Sequence, residues 1–231
     1  MCGYVDLEQG SKAAEGMRQL NFEYLIPEFS GNRTEQYYPA FGGDASRQIA
    51  VVINHYGLLK KVYATWWFDC ALENQQLIVG PRTSFNARNL SSPFWQHALK
   101  YQRGVVFATG LGESKVVGKS KHQFYFHSDG LFALGALFRR FANGSYSAAV
   151  ITRDAHAEFN DYHDKAFPLF LPMQRDYLLD WLDPNVQHPE RFMDLLEHPR
   201  LFQPLQVQRV RTFKHRQPMP SFQTQLILPD A

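Results

Sequence analysis

The sequence predicts an α+β fold, a single domain with a curved, mainly antiparallel, barrel-like sheet and a few flanking helices. Three observations carry this: short β-type runs follow one another, turn-forming residues separate several of them, and helical patterns are few. The strand runs are residues 49–54, 62–68, 104–108, 124–127, 131–138 and 147–152. Ser128-Asp129-Gly130 and Asn143-Gly144-Ser145 have turn chemistry, so the runs on either side of each are expected to be separate strands. Helical spacing marks residues 10–20, 93–101 and 175–182. Beyond Asp183, Pro184, Pro189, Pro199, Pro204, Pro218, Pro220 and Pro229 cut off long helices, and short elements wrapping the main body are expected. The chain thus divides into a main unit, 1–183, and a Pro-rich extension, 184–231, packed on the same domain.

The 231 residues are 45% hydrophobic, 20% charged and 15% aromatic, which is ample for a core; rings in such numbers favour strands. The net charge of +2 permits nucleic-acid binding without arguing for it, but the charge is uneven. Residues 100–122 hold Lys100, Arg103, Lys115, Lys119 and Lys121 against Glu113 alone, and 209–216 hold Arg209, Arg211, Lys214 and Arg216 with no acid. Such runs are usually solvated; beside a nucleic-acid site they become a phosphate track. Two cysteines, Cys2 and Cys70, make neither a disulfide framework nor a metal-ligand pattern. With no signal peptide or membrane span in the sequence, a reducing, cytoplasmic setting without metal or cofactor is expected.

Cys2 carries the distinctive chemistry. Removal of Met1 would leave its α-amine and thiol on adjacent carbons, a 1,2-aminothiol able to condense with an aldehyde and close a five-membered ring. Ordinary values near 7.7–8.0 for the amine and about 8.5 for the thiol would keep both partly deprotonated at cellular pH.

Further segments follow Met1-Cys2-Gly3 in order: Phe85-Asn86-Ala87-Arg88; the run 105–113 ending Gly110-Leu111-Gly112-Glu113; the run 131–138; Ile151-Thr152; His163-Asp164-Lys165; Leu171-Pro172; and Tyr177 with Trp181-Leu182-Asp183. Together these resemble the SOS response-associated peptidase (SRAP) family over roughly residues 1–183. The chain departs from that pattern at Tyr37-Tyr38-Pro39-Ala40-Phe41, which lacks the family's asparagine, and at Trp66-Trp67-Phe68, Ser114 and Lys165-Ala166-Phe167-Pro168. The resemblance implies a DNA-damage protein that binds single-stranded DNA and captures abasic sites through a Cys2 thiazolidine. It also implies self-removal of Met1, a weak lyase activity and a nucleoid-associated location; a monomer is expected.

Ring closure needs groups that move protons off the amine and onto and off the sugar oxygen. Glu113, placed on a Gly110–Gly112 turn, is the candidate proton acceptor, and burial would raise its pKa toward neutrality. His163, expected to titrate near neutral pH, is the candidate partner, with His156 and Asp154 as nearby decoys. Asn86 can hold the Cys2 backbone or the sugar oxygen. Arg88 suits a flanking phosphate, against the ordinary alternative of a surface ion pair. Trp66 or Trp67 would stack on a base, one of them being core. Gly3, Lys115, Lys119 and Lys121 complete the candidate DNA-binding set. Two other readings start from the same residues. One is an N-terminal-nucleophile glutamine amidotransferase, with Asn54-His55-Tyr56-Gly57 as a poor substrate loop; the other is a non-catalytic single-stranded DNA-binding relative.

Overall fold

The computed structural model describes residues 2–187 and 190–230; Met1 and Pro189, invoked above, lie outside the described residues. Strand β1 (Tyr4–Glu8) opens the chain, followed by helix α1 (Ser11–Gln19), edge strand β2 (Thr34–Tyr37) and the hairpin β3 (Gln48–His55) with β4 (Leu58–Thr65). A small separate hairpin, β5 (Cys70–Glu73) with β6 (Gln76–Val79), leads to β7 (Asn86–Ala87) and α2 (Pro93–Tyr101). Two long strands, β8 (Arg103–Val117) and β9 (Ser120–Arg140), precede β10 (Tyr146–Arg153), β11 (Phe167–Pro168), β12 (Phe170–Leu171) and α3 (Arg175–Leu182). The chain ends with α4 (Glu190–Glu197), β13 (Leu205–Val210) and β14 (Gln225–Ile227).

The main sheet has the order β14-β13-β9-β10-β4-β3-β8-β1-β2, and β8 also pairs with β9. That second pairing closes β9, β10, β4, β3 and β8 into a ring, the curved barrel-like core expected. The core includes Trp66, Phe85, Phe126, Phe132, Phe170 and Trp181, all essentially inaccessible. Helix α2 starts where the sequence sets it. Ser92 caps it by accepting from the Phe94 amide, Pro93 occupies the first turn, and Trp95 and Ala98 face inward.

Two expected turns are not turns. Ser128-Asp129-Gly130 lies inside β9, which pairs as one strand from Ser120 to Leu137 opposite β8. The ladder shifts between Ala108 and Gly110, so residues 128–131 have no partner on β8 and the strand continues through a bulge instead of reversing. Gly110 and Gly112 likewise sit within β8. Strand 62–68 stops at Thr65, leaving Trp66 to Phe68 in an irregular, buried segment.

After Asp183 the chain is woven into the main sheet: β13 pairs with β9 from Gln206↔His127 to Val210↔Gln123. Among the described residues no helix is long and apolar enough to cross a membrane.

Candidate active site

The outer half of β8 is shared. On one side it pairs with β9, placing Glu113 opposite Phe124; on the other it pairs with β1, placing Gly112 opposite Tyr4. Cys2, two residues before Tyr4, is thereby brought to Glu113. Its side chain is fully buried, with Sγ 3.7 Å from the Tyr4 carbonyl. Burial, and then the Glu113 charge, raise the thiol well above its ordinary value, opposed by the N-terminal charge. The sulfur is therefore a protonated thiol, not the partly ionised group expected, and needs a base before it can attack.

Glu113 is near enough for its charge to act on that thiol. Burial pushes its carboxyl up to about 7, with the N-terminal charge pulling the other way. Against an ordinary 4.5, this buried charge costs the fold roughly 3 kcal/mol once ionised. The cost is absent below 4.5, grows between 4.5 and 7, and is complete above that. Glu113→Gln is therefore expected to raise stability by up to roughly 3 kcal/mol near pH 8 and by almost nothing near pH 4. Urea midpoints across that range measure it, and a difference that does not change with pH refutes it.

His163 arrives from the other side, on the loop after a 3-10 turn at Ala157–Phe159. Phe159 anchors that loop by stacking on Phe126 at 4.6 Å. His163 Nδ1 lies 2.8 Å from the Ser114 carbonyl and 3.7 Å from Glu113 Oε2. A carbonyl only accepts, so Nδ1 carries the proton and Nε2 the lone pair. Burial first, then the N-terminal charge, lower this imidazole to about 4, so it does not titrate near neutrality as expected. At neutral pH the contact with Glu113 is an approach of a neutral ring, not an ion pair.

Asn86, set by β7 alongside Val150 of β10, donates from Nδ2 to the Cys2 carbonyl at 3.3 Å. Its Oδ1 is buried and accepts no hydrogen bond among the described residues, so it is an acceptor available to an incoming hydroxyl. Gly3 is half-buried between Cys2 and Tyr4. Arg88 points outward in an exposed pair with Asp154 at 3.1 Å, of the kind worth little in water.

The base-stacking role assigned to the tryptophans is corrected. Trp66 and Trp67 are buried, with their indole N–H groups donated to the Phe85 and Gly80 carbonyls. Lys115 spends its ammonium on the Asn160 carbonyl, bracing the loop that carries His163. Lys119 and Lys121 are exposed at the far β8–β9 turn. His156, the decoy, accepts from the Glu158 amide and holds Asp230 at 3.0 Å, away from the site. Asn54 accepts from the Gly57 amide at 2.8 Å and simply closes the β3–β4 turn. Among the described residues no cluster of His, Cys, Asp or Glu could hold a metal.

Sequence reasoning missed a second polar cluster behind the site. Asp6, fully buried on β1, receives hydrogen bonds from Tyr4 Oη (2.9 Å), Tyr125 Oη (3.2 Å), Thr109 Oγ1 (3.4 Å) and Arg216 (3.3 Å). Its signal was an acid inside an apolar strand. An open groove of about 980 Å³ is lined by Arg33, Tyr38, Arg47, Tyr63 and Lys214, and not by Cys2, Glu113 or His163.

No curated protein matches the chain. Among solved structures, a phage-related protein from Bordetella bronchiseptica superposes with a TM-score of 0.62 at 18% identity, covering 94% of this chain and 100% of its own. A protein from Bacteroides thetaiotaomicron gives 0.61 at 15%, covering 91% and 93%. Another Bordetella bronchiseptica protein gives 0.58 at 16%, covering 91% and 100%. At such identities these share the fold. The family model "SOS response associated peptidase (SRAP)" matches residues 1–213, spanning Cys2, Asn86, Glu113 and His163 and continuing past Asp183. The chain therefore belongs to the SRAP family and, with it, to proteins associated with the response to DNA damage.

Proposed function

We propose that this protein captures the ring-opened aldehyde of an abasic site in single-stranded DNA by forming a thiazolidine at Cys2 once Met1 has been removed. The observation that carries the reading is the convergence of Cys2, Asn86, Glu113 and His163, from four separate segments, on one buried spot. The α-amine attacks the aldehyde carbon, and loss of water gives an imine. The thiol then adds across the imine carbon, transferring its proton to nitrogen and closing the ring.

Glu113, raised by burial, takes a proton from the amine and returns one to the departing hydroxyl. His163, a neutral ring with its lone pair on Nε2, accepts the proton of the anomeric hydroxyl as the sugar ring opens and returns it to the departing ring oxygen. Crosslinking should accelerate as pH rises and Glu113, held above the ordinary carboxylate range by burial, ionises. The same carboxylate is positioned to assist self-removal of Met1, and the same imine gives a route to slow strand cleavage.

Arg88 exchanges its weak pairing with Asp154 for a phosphate flanking the lesion. Arg88→Met is expected to weaken binding severalfold and to flatten the slope of log affinity against log salt by about 0.7, the share of one single-strand phosphate contact. An unchanged slope in a fluorescence-anisotropy titration would remove Arg88 from the interface.

To test the function, protein whose mature N-terminus is verified by intact mass is mixed with an oligonucleotide carrying one abasic site and heated in detergent. The expected product is a heat-stable adduct with a mass equal to the sum of its parts minus one water, and none with an undamaged oligonucleotide. Salt-sensitive binding without a covalent product would instead make this a non-catalytic single-stranded DNA-binding protein.

A further inference from the structure

The basic stretch 209–216, left without a role by the sequence, ends in a hook seated directly behind Cys2. Strand β13 carries Arg209 and Val210 into the main sheet, and Val210 bridges Pro218, so residues 211–217 form a loop tied at its base. Its tip turns back on itself with Arg216 at a φ of 49°, which L side chains rarely adopt, and the Arg216 amide donates to the Thr212 carbonyl at 2.9 Å.

The tip makes contacts along the strands that carry the nucleophile and the base. Phe213 stacks on Tyr4 at 5.1 Å with the rings 14° apart. The Lys214 carbonyl accepts from Gln36 Nε2 of β2 at 3.0 Å. Arg216 donates to Asp6 at 3.3 Å and to the Tyr125 hydroxyl at 3.4 Å. Two glycines of β8 provide the sockets. A Cβ on Gly112 would lie 2.6 Å from the Phe213 ring, and one on Gly110 would lie 2.4 Å from the Tyr125 hydroxyl and 2.5 Å from Asp6. Gly112, beside Glu113, thus admits the hook's Phe213, Gly110 admits the Tyr125 and Asp6 that Arg216 binds, and Lys214 to Arg216 lie past the end of the family match at residue 213.

We propose that this hook is a positioning device: Phe213 and Arg216 fix β1 against β8 and thereby hold Cys2 in register with Glu113. The proposal rests on the crosslinking function above for its kinetic readout only. Tyr4 is the link, because its ring receives Phe213, its hydroxyl binds Asp6 beside Arg216, and its carbonyl faces the Cys2 sulfur.

The test compares wild type with Phe213→Ala, Arg216→Met, Arg216→Lys and the double variant Asp6→Asn/Arg216→Met. The double variant removes both charges, so that no buried carboxylate is left uncompensated. Crosslinking rate is measured against concentration of the abasic oligonucleotide. In Phe213→Ala and Arg216→Met the maximal rate is expected to fall about 10- to 100-fold, with the half-saturating concentration within about twofold of wild type and substantial rescue in Arg216→Lys. A raised half-saturating concentration at an unchanged maximal rate would make the hook a DNA contact and overturn the proposal.

The second readout needs no DNA: alkylation of Cys2 by iodoacetamide, followed by peptide mass. It should accelerate in Phe213→Ala and in the double variant as the buried thiol loosens, while Cys70 does not change. Unchanged Cys2 alkylation in both sinks the proposal. If wild type fails to crosslink but alkylation still accelerates, the positioning role stands and the function assigned above falls.

Discussion

Cys2→Ala is expected to leave no heat-stable adduct with abasic DNA, yet still to be captured when cyanoborohydride is present. The alanine variant keeps an N-terminal amine, so the imine still forms, but hydrolysis returns it to aldehyde because no sulfur closes the ring. Reduction converts that transient imine to a stable secondary amine. Cys2→Ser sharpens the distinction. Its hydroxyl fits the buried site but is far less nucleophilic and forms a readily reversed ring, so it too should need the reductant. A reductant-independent adduct in Cys2→Ala would show that the linkage uses another residue, and the chemistry proposed for Glu113 and His163 would lose its centre.

Arg103→Met should be the most destabilising substitution of a single side chain outside the site, by about 3–5 kcal/mol. The buried guanidinium donates to the carbonyls of Leu99 and Lys100 at the end of α2, and to those of Trp181, Asp183 and Val186 at the end of α3. It also lies over the Trp181 and Phe192 rings. Burial lowers it to about 10, which still leaves it charged at neutral pH. Methionine keeps the stem but abandons carbonyls from two helix ends to an apolar interior, since the last carbonyls of a helix have no partner of their own. For a domain of this size the loss should lower the melting temperature by roughly 10–15 °C. A melt within a few degrees of wild type would mean that water replaces the guanidinium there.

Much of this was legible because it is written locally. Ser92-Pro93 announces α2, and apolar spacing announces α3 at its observed bounds. The site residues were legible as short segments in order. What was not legible depends on partners distant in sequence. Ser128-Asp129-Gly130 has turn chemistry, but the shifted ladder opposite it lets β9 continue through a bulge. Gly110 and Gly112 look like a turn when their role is to admit Tyr125, Asp6 and Phe213. The depressed value of His163 follows from burial, which its Asp164 neighbour conceals. Trp66 and Trp67 are aromatic residues in an apolar run, and only the closed ring of strands decides that they are core.

The contact between Asp6 and Arg216 spans 210 residues. At synthesis rates of about 5–20 residues per second, Asp6 is made roughly 10–40 seconds before the arginine that compensates its charge. The β8–β9 pair is local and can zip as it emerges, and β1 can pair early with β2, but the buried charge of Asp6 waits for Arg216. The first strand to be made is thus among the last to have its polar face covered. The strand that carries Cys2 is therefore locked against β8 only once residues 213–216 have been made.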